Sequence, residues 1–235
     1  MAVKDIKIGF STSDFYKSEI DLFECLGIIR GLGCRALEIG FLRLNELYSE
    51  DSKKLTADNL GGFEYVSLHA PKFDYADNNE TRKIFEKISK INVLRKLDAV
   101  VFHPDNVADF SIFDKTDFPV AFENMDNRKK HYRAPDEIIP LFDINNDFKL
   151  VLDLNHVCSN DPSMALATEF YRKFKSRITH IHLSGYAGYH EPLFQTKQLE
   201  IIRAVKNLDT PIIIESTVFP KDAKTEYDYI LRNLI

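Results

Sequence analysis

Ligand-type residues stand at the ends of short apolar runs throughout this chain. Five of its seven histidines occupy such positions: His69, His103, His156, His182 and His190. Three acids do the same, namely Glu123 in FEN, Asp153 in VLDLNH and Glu215 in IIIEST. Imidazole and carboxylate groups are the usual protein ligands of divalent metals. Apolar runs that repeatedly end in these residues are typical of a barrel of parallel strands with a metal site at its C-terminal rim.

Eight apolar, β-branched runs must position these residues, and we predict that each forms a strand. They cover residues 6–11, 36–41, 65–70, 99–104, 119–124, 149–155, 178–184 and 211–216. Amphipathic stretches between them, with apolar residues three and four apart, predict helices within 18–33, 79–98, 163–174 and 200–208. The connection 105–118 is too short for a full helix and predicts a turn or a single helical turn.

Strands that alternate with helices indicate parallel pairing with right-handed crossovers. The sequence therefore predicts an α/β fold, a (β/α)8 TIM barrel, in a single domain over residues 1–235. The length is close to the roughly 250 residues of a typical TIM barrel. A doubly wound open sheet is the competing arrangement, but eight units with ligands at the strand ends favour the closed barrel.

Strand alternation predicts which side chains point into the barrel, because residues two apart share a face. His180 and His182 share one face of the seventh strand, and Val151 and Asp153 share one face of the sixth. The last inward residue of these strands is then a ligand-type residue, with a smaller apolar residue beneath Asp153. His180 lies one layer deeper than His182, and we expect it to be a core histidine or a support for a ligand.

Composition narrows the class of protein. The net charge is −5, with 44% hydrophobic and 29% charged residues, and no apolar run approaches the roughly 20 residues of a membrane span. Three cysteines without CxxC spacing predict buried or free thiols in a cytoplasmic protein. The acidic balance favours a small-molecule substrate over nucleic acid, although basic segments at 127–130 and 172–176 leave a nucleic-acid partner open. A homo-oligomer is possible, with no interface evident.

At its motifs the chain resembles the xylose isomerase-like TIM-barrel superfamily, also described as AP endonuclease family 2. That superfamily includes sugar isomerases and epimerases, hydroxypyruvate isomerase and the endonuclease IV group. The resemblance runs along the whole chain and is carried by five segments: SLHAP, FEN, the D-x-x-H of Asp153 and His156, HIHLSGYAGYHEP, and IIIES.

The resemblance implies one divalent ion per barrel, held by ligands at the ends of the fifth to eighth strands. The matching residues here are Glu123, Asp153, His182 and Glu215. It also implies that Glu123 and Glu215 act as the acid and base of an isomerase or epimerase, which transfers a proton through a metal-stabilised enediolate. The identity of the metal, whether Mn, Zn, Co or Mg, stays open.

Endonuclease IV-like members add further histidine ligands, and the matching residues are His69, His103, His156 and His190. These could hold a second metal or contact substrate. Gly188 stands where a further aspartate ligand is expected, and Gly185 replaces an aspartate that commonly follows the seventh-strand ligand. The departures disfavour a trinuclear site but are compatible with one or two ions. A zinc phosphodiesterase that acts on abasic DNA is therefore the alternative function.

Two residues are weaker candidates for substrate binding. Glu38 ends the second strand in ALEIG, and Lys72 follows SLHAP. The arginine that hydroxypyruvate isomerase-type proteins carry near the HEP loop is absent, and Tyr189 takes its place. The sequence thus favours a metal-dependent sugar isomerase or epimerase. The phosphodiesterase comes second, and a non-catalytic metal-binding barrel is least favoured.

Overall fold

Eight parallel strands close into a barrel in the computed structural model, which describes residues 6–234. Each strand pairs with the next in the chain, and the last pairs with the first. The strands are β1 Ile8–Ser11, β2 Ala36–Gly40, β3 Tyr65–His69, β4 Ala99–Phe102, β5 Val120–Glu123, β6 Lys149–Asp153, β7 Ile178–Leu183 and β8 Ile212–Ile214. The predicted (β/α)8 TIM barrel is therefore confirmed.

Helices connect the strands and cover the outside of the barrel. They are α1 Leu22–Gly31, α2 Leu44–Leu47, α3 Glu50–Lys53, α4 Ala57–Leu60, α5 Asn79–Leu94, α6 Pro135–Ile144, α7 Leu154–Asn160, α8 Ala165–Phe174, α9 Leu193–Thr196, α10 Leu199–Arg203 and α11 Pro220–Leu234. The β4–β5 connection contains only two 3₁₀ turns, Pro104–Asn106 and Phe110–Phe113, as its length predicted. No helix within residues 6–234 is long and apolar enough to span a membrane.

Several element boundaries differ from the sequence-based prediction by a few residues, and at two of them a side chain caps a helix. Helix α1 begins after Asp21, whose carboxylate accepts a hydrogen bond from Glu24 N, rather than at residue 18. Strand β6 ends at Asp153 rather than at residue 155, because the Asp153 carboxylate caps α7 by accepting from His156 N. The predicted strand 149–155 was therefore two residues too long.

The inner and outer faces of the barrel differ in character. The outer face carries large apolar side chains, such as Leu37, Phe102 and Ile181, which belong to the main core with the helices. The inner face at the N-terminal end of the barrel is filled by mostly small apolar residues in two clusters: Ala99, Val101, Ala121 and Val151, and Ala36, Tyr65 and Ile213. Towards the C-terminal ends of the strands, the inner face becomes polar. This alternation places the ligand-type residues inside the barrel, as the strand pattern predicted.

Candidate metal centre and active site

Four side chains from the ends of β5 to β8 converge at the C-terminal rim of the barrel, and they are the four that the resemblance implied as ligands: Glu123, Asp153, His182 and Glu215. Each offers a ligand atom, and these atoms all lie within 4.8 Å of one another. His182 Nδ1 lies 2.8 Å from Glu123 Oε1 and 3.3 Å from Glu215 Oε2. We call these four residues the primary cluster.

Two carboxylate oxygens of the primary cluster are buried without a hydrogen-bond partner. They are Glu123 Oε2 and Asp153 Oδ2. Glu123 Oε2 has His103 Nε2 at 3.0 Å, but not in the geometry of a hydrogen bond. A buried, unpaired carboxylate oxygen is costly, and a cation is the partner that satisfies several at once. Three carboxylates and one imidazole therefore fit a divalent ion, in a donor set suited to Mn²⁺, Mg²⁺, Zn²⁺ or Co²⁺.

Asn124 fixes the relative position of the two strands that carry Glu123 and Asp153. Its side-chain amide donates to Asp153 O at 3.0 Å, and its side-chain oxygen accepts from Asp153 N at 2.7 Å. Its backbone oxygen lies 2.7 Å from His156 Nδ1. The FEN and D-x-x-H motifs thus form one hydrogen-bonded unit. Sequence reasoning missed the role of Asn124, although its place directly after Glu123 was an available signal.

Glu38 and His180 lie one layer below the primary cluster. Glu38 Oε2 accepts a hydrogen bond from Ser67 Oγ at 2.9 Å and lies 3.2 Å from His182 Nε2. The hydroxyl of Tyr65 is 2.7 Å from His180 Nδ1, and His180 is fully buried, as expected of a core or supporting histidine. Glu38 is also fully buried and does not line the cavity that opens above the primary cluster. Glu38, which the sequence suggested as a substrate contact, instead lies beside His182 of the primary cluster, because its inward position is two residues below the rim.

The four additional histidines divide into two groups beside the primary cluster. His69 and His103 form a group with Glu123, and His156 and His190 form one with Asp153, each with ligand atoms within 4.8 Å of one another. His69 Nδ1 lies 3.0 Å from the carbonyl oxygen of Ala70, to which it can donate, so that Nε2 faces Glu123 Oε2 at 3.5 Å. The structure therefore gathers all four histidines around one centre.

The pKa values of the site show how strongly it attracts positive charge. Burial lowers the pKa of His182, but the surrounding carboxylates, that of Glu215 first among them, raise it well above its usual value. Burial likewise lowers the pKa of His69, but Glu123 and other carboxylates raise it to about 9. Burial raises the pKa of Glu215, but His182 counteracts this and holds it at about 2. Protonated histidines thus balance the buried acids when no metal is bound.

A cavity of about 310 Å³ opens above the primary cluster. Glu123, Glu215 and the four additional histidines line it, and so does Lys72, as the sequence suggested. The volume is at the lower end of the range for small-molecule sites, which is roughly 300–1,000 Å³. The site therefore has both a candidate metal centre and room for a small substrate.

Asp14 lines this cavity and is, after Asn124, a second residue that sequence reasoning missed. It lies in the 3₁₀ turn Thr12–Phe15 after β1 and is only 3% exposed. Its Oδ2 is buried without a partner, while the backbone oxygen of Asp14 accepts from Val218 N at 3.1 Å. Burial and the nearby Glu215 raise the pKa of Asp14 well above its usual value. No residue spacing marked it, because it follows the first strand in an ordinary polar turn.

Comparison with solved structures identifies the fold class. The chain is similar to a D-tagatose 3-epimerase-like protein, with 18% identity, a TM-score of 0.72 and 97% of each chain covered. It is similar to endonuclease IV from Thermus thermophilus, with 17% identity, a TM-score of 0.69, and 97% and 98% of the two chains covered. It is also similar to a D-psicose 3-epimerase from Clostridium cellulolyticum H10, with 13% identity, a TM-score of 0.65, and 97% and 99% of the two chains covered.

These neighbours establish that the chain shares the TIM-barrel fold of a D-tagatose 3-epimerase-like protein and of endonuclease IV. No protein-family model and no curated protein sequence matches the chain. At 13–18% identity the likeness concerns the fold, and one barrel supports many chemistries. The reaction must be argued from the site itself.

Proposed function

We propose that the protein is a divalent-metal-dependent isomerase or epimerase of a small sugar, sugar phosphate or related hydroxy-carbonyl compound. The observation that carries this proposal is the primary cluster, with its two unpaired carboxylate oxygens, at the floor of a cavity of about 310 Å³. Two of the similar structures are described as a D-psicose 3-epimerase and a D-tagatose 3-epimerase-like protein. When bound, the metal would supply Lewis-acid stabilisation of the negative charge that develops on substrate oxygens.

Glu123 and Glu215 are our proposed base and acid. They come from β5 and the end of β8, and His182 Nδ1 lies between them at 2.8 and 3.3 Å. His182 counteracts the effect of burial and lowers the pKa of both carboxyl groups, so each is ionised and able to accept a proton. One glutamate removes the proton from the carbon next to the carbonyl. In an isomerisation this glutamate, now protonated, returns the proton to the neighbouring carbon, and a second proton moves between the two substrate oxygens. An epimerisation instead requires the other glutamate to have taken up a proton from solvent, which it then delivers to the opposite face of the same carbon.

The remaining histidines and Lys72 would orient the substrate. His156 Nδ1 faces the backbone oxygen of Asn124, and its ring lies 5.3 Å from that of His190, centroid to centroid. Burial lowers the pKa of His190 to about 4, so this imidazole is neutral and can accept a hydrogen bond from a substrate hydroxyl. We assign His69 and His103 to the opposite side of Glu123, where they would bind substrate oxygens or a second ion.

A zinc phosphodiesterase of the endonuclease IV type is the second candidate. It is favoured by the two additional groups of possible ligands, one with His69 and His103 and one with His156 and His190. Against it stand Gly188, which lacks the expected carboxylate, and a cavity that is small for an extruded nucleotide and its flanking backbone. A metal-binding barrel without catalytic activity would need neither a cavity above the metal nor two ionised glutamates beside it.

A panel assay tests the proposal. The protein, supplied separately with Mn²⁺, Co²⁺, Mg²⁺ and Zn²⁺, would be incubated with ketoses, aldoses and their phosphates in D₂O. Exchange of deuterium at the carbon next to the carbonyl, read by NMR, reports proton transfer even where the product is unexpected. We expect exchange with at least one substrate and none with Glu123→Gln. Cleavage of abasic DNA without any exchange would overturn the isomerase and support the phosphodiesterase.

A further inference from the structure

A guanidinium group reaches the mouth of the cavity from a loop where the sequence motifs gave no reason to expect it. The loop of residues 185–190 carries Tyr189 in place of the arginine that the resemblance led us to expect. Arg128, in the loop between β5 and α6, lies over the Tyr189 ring with its guanidinium carbon 5.3 Å from the ring centroid. Both residues line the cavity.

Arg128 is held in place while most of its donors stay free. Its Nε donates to Asp126 Oδ2 at 3.0 Å, its Nη2 donates to the same oxygen, and its backbone N donates to Asp126 Oδ1 at 2.8 Å. Asp126 is only 4% exposed, and its Oδ2 lies 3.9 Å from His156 Nε2. The other three N–H groups of the guanidinium have no hydrogen-bond partner within residues 6–234. A buried carboxylate and an aromatic ring thus fix a partly unsatisfied guanidinium beside the site.

The charges around the cavity mouth are unevenly distributed. Lys72, in the loop after β3, lines the cavity, is exposed and has no ion pair or hydrogen bond in the described part of the chain. Lys129 also lines the cavity, but it is paired with Asp105 at 2.5 Å. The loops after β1 and β2 contribute the apolar or aromatic side chains of Tyr16, Phe41 and Leu42. The acid that they add to the lining, Asp14, is only 3% exposed.

We infer that the substrate carries an anionic group, a phosphate or a carboxylate, and that Arg128 and Lys72 bind it at the mouth of the cavity. This inference rests on the proposed function, since it places the reacting end of the same molecule at the primary cluster. A guanidinium with free parallel N–H groups is suited to bidentate recognition of phosphate or carboxylate, and an unpaired lysine adds a point charge. A neutral sugar would leave Lys72 without a counter-charge and the three free N–H groups of the Arg128 guanidinium without an anionic acceptor.

Equilibrium binding without turnover tests this inference independently of the reaction. Isothermal titration of the metal-loaded protein would compare xylitol, xylitol 5-phosphate and xylonate, none of which has the aldehyde or ketone that isomerisation requires. We expect at least one of the two anionic compounds to bind 10-fold or more tightly than xylitol. A preference for xylitol 5-phosphate identifies a phosphate-bearing substrate, and a preference for xylonate identifies a carboxylate.

Variants separate binding at the mouth from binding at the metal. We expect Arg128→Gln to remove most of the anionic preference, measured as the ratio of anionic to xylitol affinity, and Lys72→Gln to reduce that ratio several-fold. Lys130→Gln is the matched control, because Lys130 lies in the same loop, is exposed and does not line the cavity.

Two outcomes would overturn the inference: equal affinity for all three compounds, or an anionic preference that persists in both Arg128→Gln and Lys72→Gln. Repeating the titration on metal-free protein keeps this result separate from the proposed function. If metal-free protein prefers the anionic compounds and Arg128→Gln loses this preference, the anion site is supported even when no isomerase activity is found. If the protein isomerises sugars but shows no anionic preference, the anion site alone is rejected.

Discussion

The two ends of the barrel interior differ in the type of side chain that faces inward. At the N-terminal end, small apolar residues such as Ala99, Ala121 and Val151 fill the space and are fully buried. At the C-terminal end, the same inward positions carry acids and histidines, and one carboxylate oxygen each of Glu123 and Asp153 lacks a hydrogen-bond partner. The first arrangement contributes stability, and the second lowers it in the absence of a cation. The difference indicates that the C-terminal end is built around a ligand rather than for packing.

Glu226 shows that burial alone does not mark a functional acid. This glutamate in α11 is fully buried, yet both of its oxygens are satisfied. Oε1 accepts from Ser216 Oγ at 2.6 Å and from Leu193 N at 2.8 Å, and Oε2 accepts from Phe194 N at 2.9 Å. Its partners make it a structural anchor for the start of α9. An oxygen without a hydrogen-bond partner, rather than burial alone, distinguishes Glu123 and Asp153 from Glu226.

The largest expected effect is on catalysis at the C-terminal end. We expect Glu123→Gln to lower kcat/KM by roughly 10²–10⁴-fold, because it removes one of the two proton-transfer groups together with a ligand charge. Steady-state kinetics on the substrate found in the exchange assay would measure this. Glu200→Gln, at an exposed position in α10, is the matched control and should leave kcat/KM unchanged. A fall of less than threefold in Glu123→Gln would contradict the assigned role.

The N-terminal end should respond in stability rather than activity. We expect Ile213→Ala to lower the free energy of unfolding by about 2–5 kcal/mol, because it leaves a cavity among Ala36 and Tyr65 inside the barrel. Urea denaturation followed by circular dichroism would measure the change, and metal content per folded chain should stay at the wild-type value. Loss of metal from a folded Ile213→Ala protein would show that the two ends are not separable.

Two isosteric changes of buried acids should have opposite signs. In metal-free protein we expect Asp153→Asn to raise the free energy of unfolding by about 1 kcal/mol. Burial raises the pKa of Asp153 well above its usual value, so folding disfavours the ionised carboxylate, whereas the amide carries no charge. Glu226→Gln should lower it by about 1–3 kcal/mol, because an amide NH₂ cannot accept from a backbone N–H. Thermal unfolding of both variants without metal would compare them. The same sign for both would break the distinction between satisfied and unsatisfied acids.

A further expected effect is a dependence of stability on pH. The pKa of His69 is raised to about 9 in the folded protein, above its ordinary value, so the stabilisation from its protonation is complete below about pH 6.5. It is lost as the pH rises towards 9. Melting temperatures of metal-free protein should therefore fall over this interval, and less steeply in His69→Gln. A melting temperature that rises with pH between 6.5 and 9 in metal-free protein would contradict this assignment.

Much of the fold could be predicted from the sequence because strands and helices follow from local patterns of apolar and polar residues. Apolar, β-branched runs placed all eight strands, and the resemblance carried by the motifs at the strand ends indicated the members of the primary cluster. What the patterns missed depends on contacts between distant segments. Arg128 reaches Tyr189 from another loop, Asn124 bonds to the next strand, and Asp14 acquires its environment only when β1 meets β8. Glu38 looked like a rim residue, but its position in the barrel register places it one layer lower.

The most direct test of the central claim is the number of divalent ions bound per chain. The protein would be purified without chelator, incubated with Mn²⁺, Co²⁺ or Zn²⁺, and counted by native mass spectrometry beside Glu215→Gln. The primary cluster predicts one ion per wild-type chain and loss of that ion in the variant. Two or more zinc ions would favour the phosphodiesterase. No bound ion in the wild-type protein under any of these conditions would contradict the account.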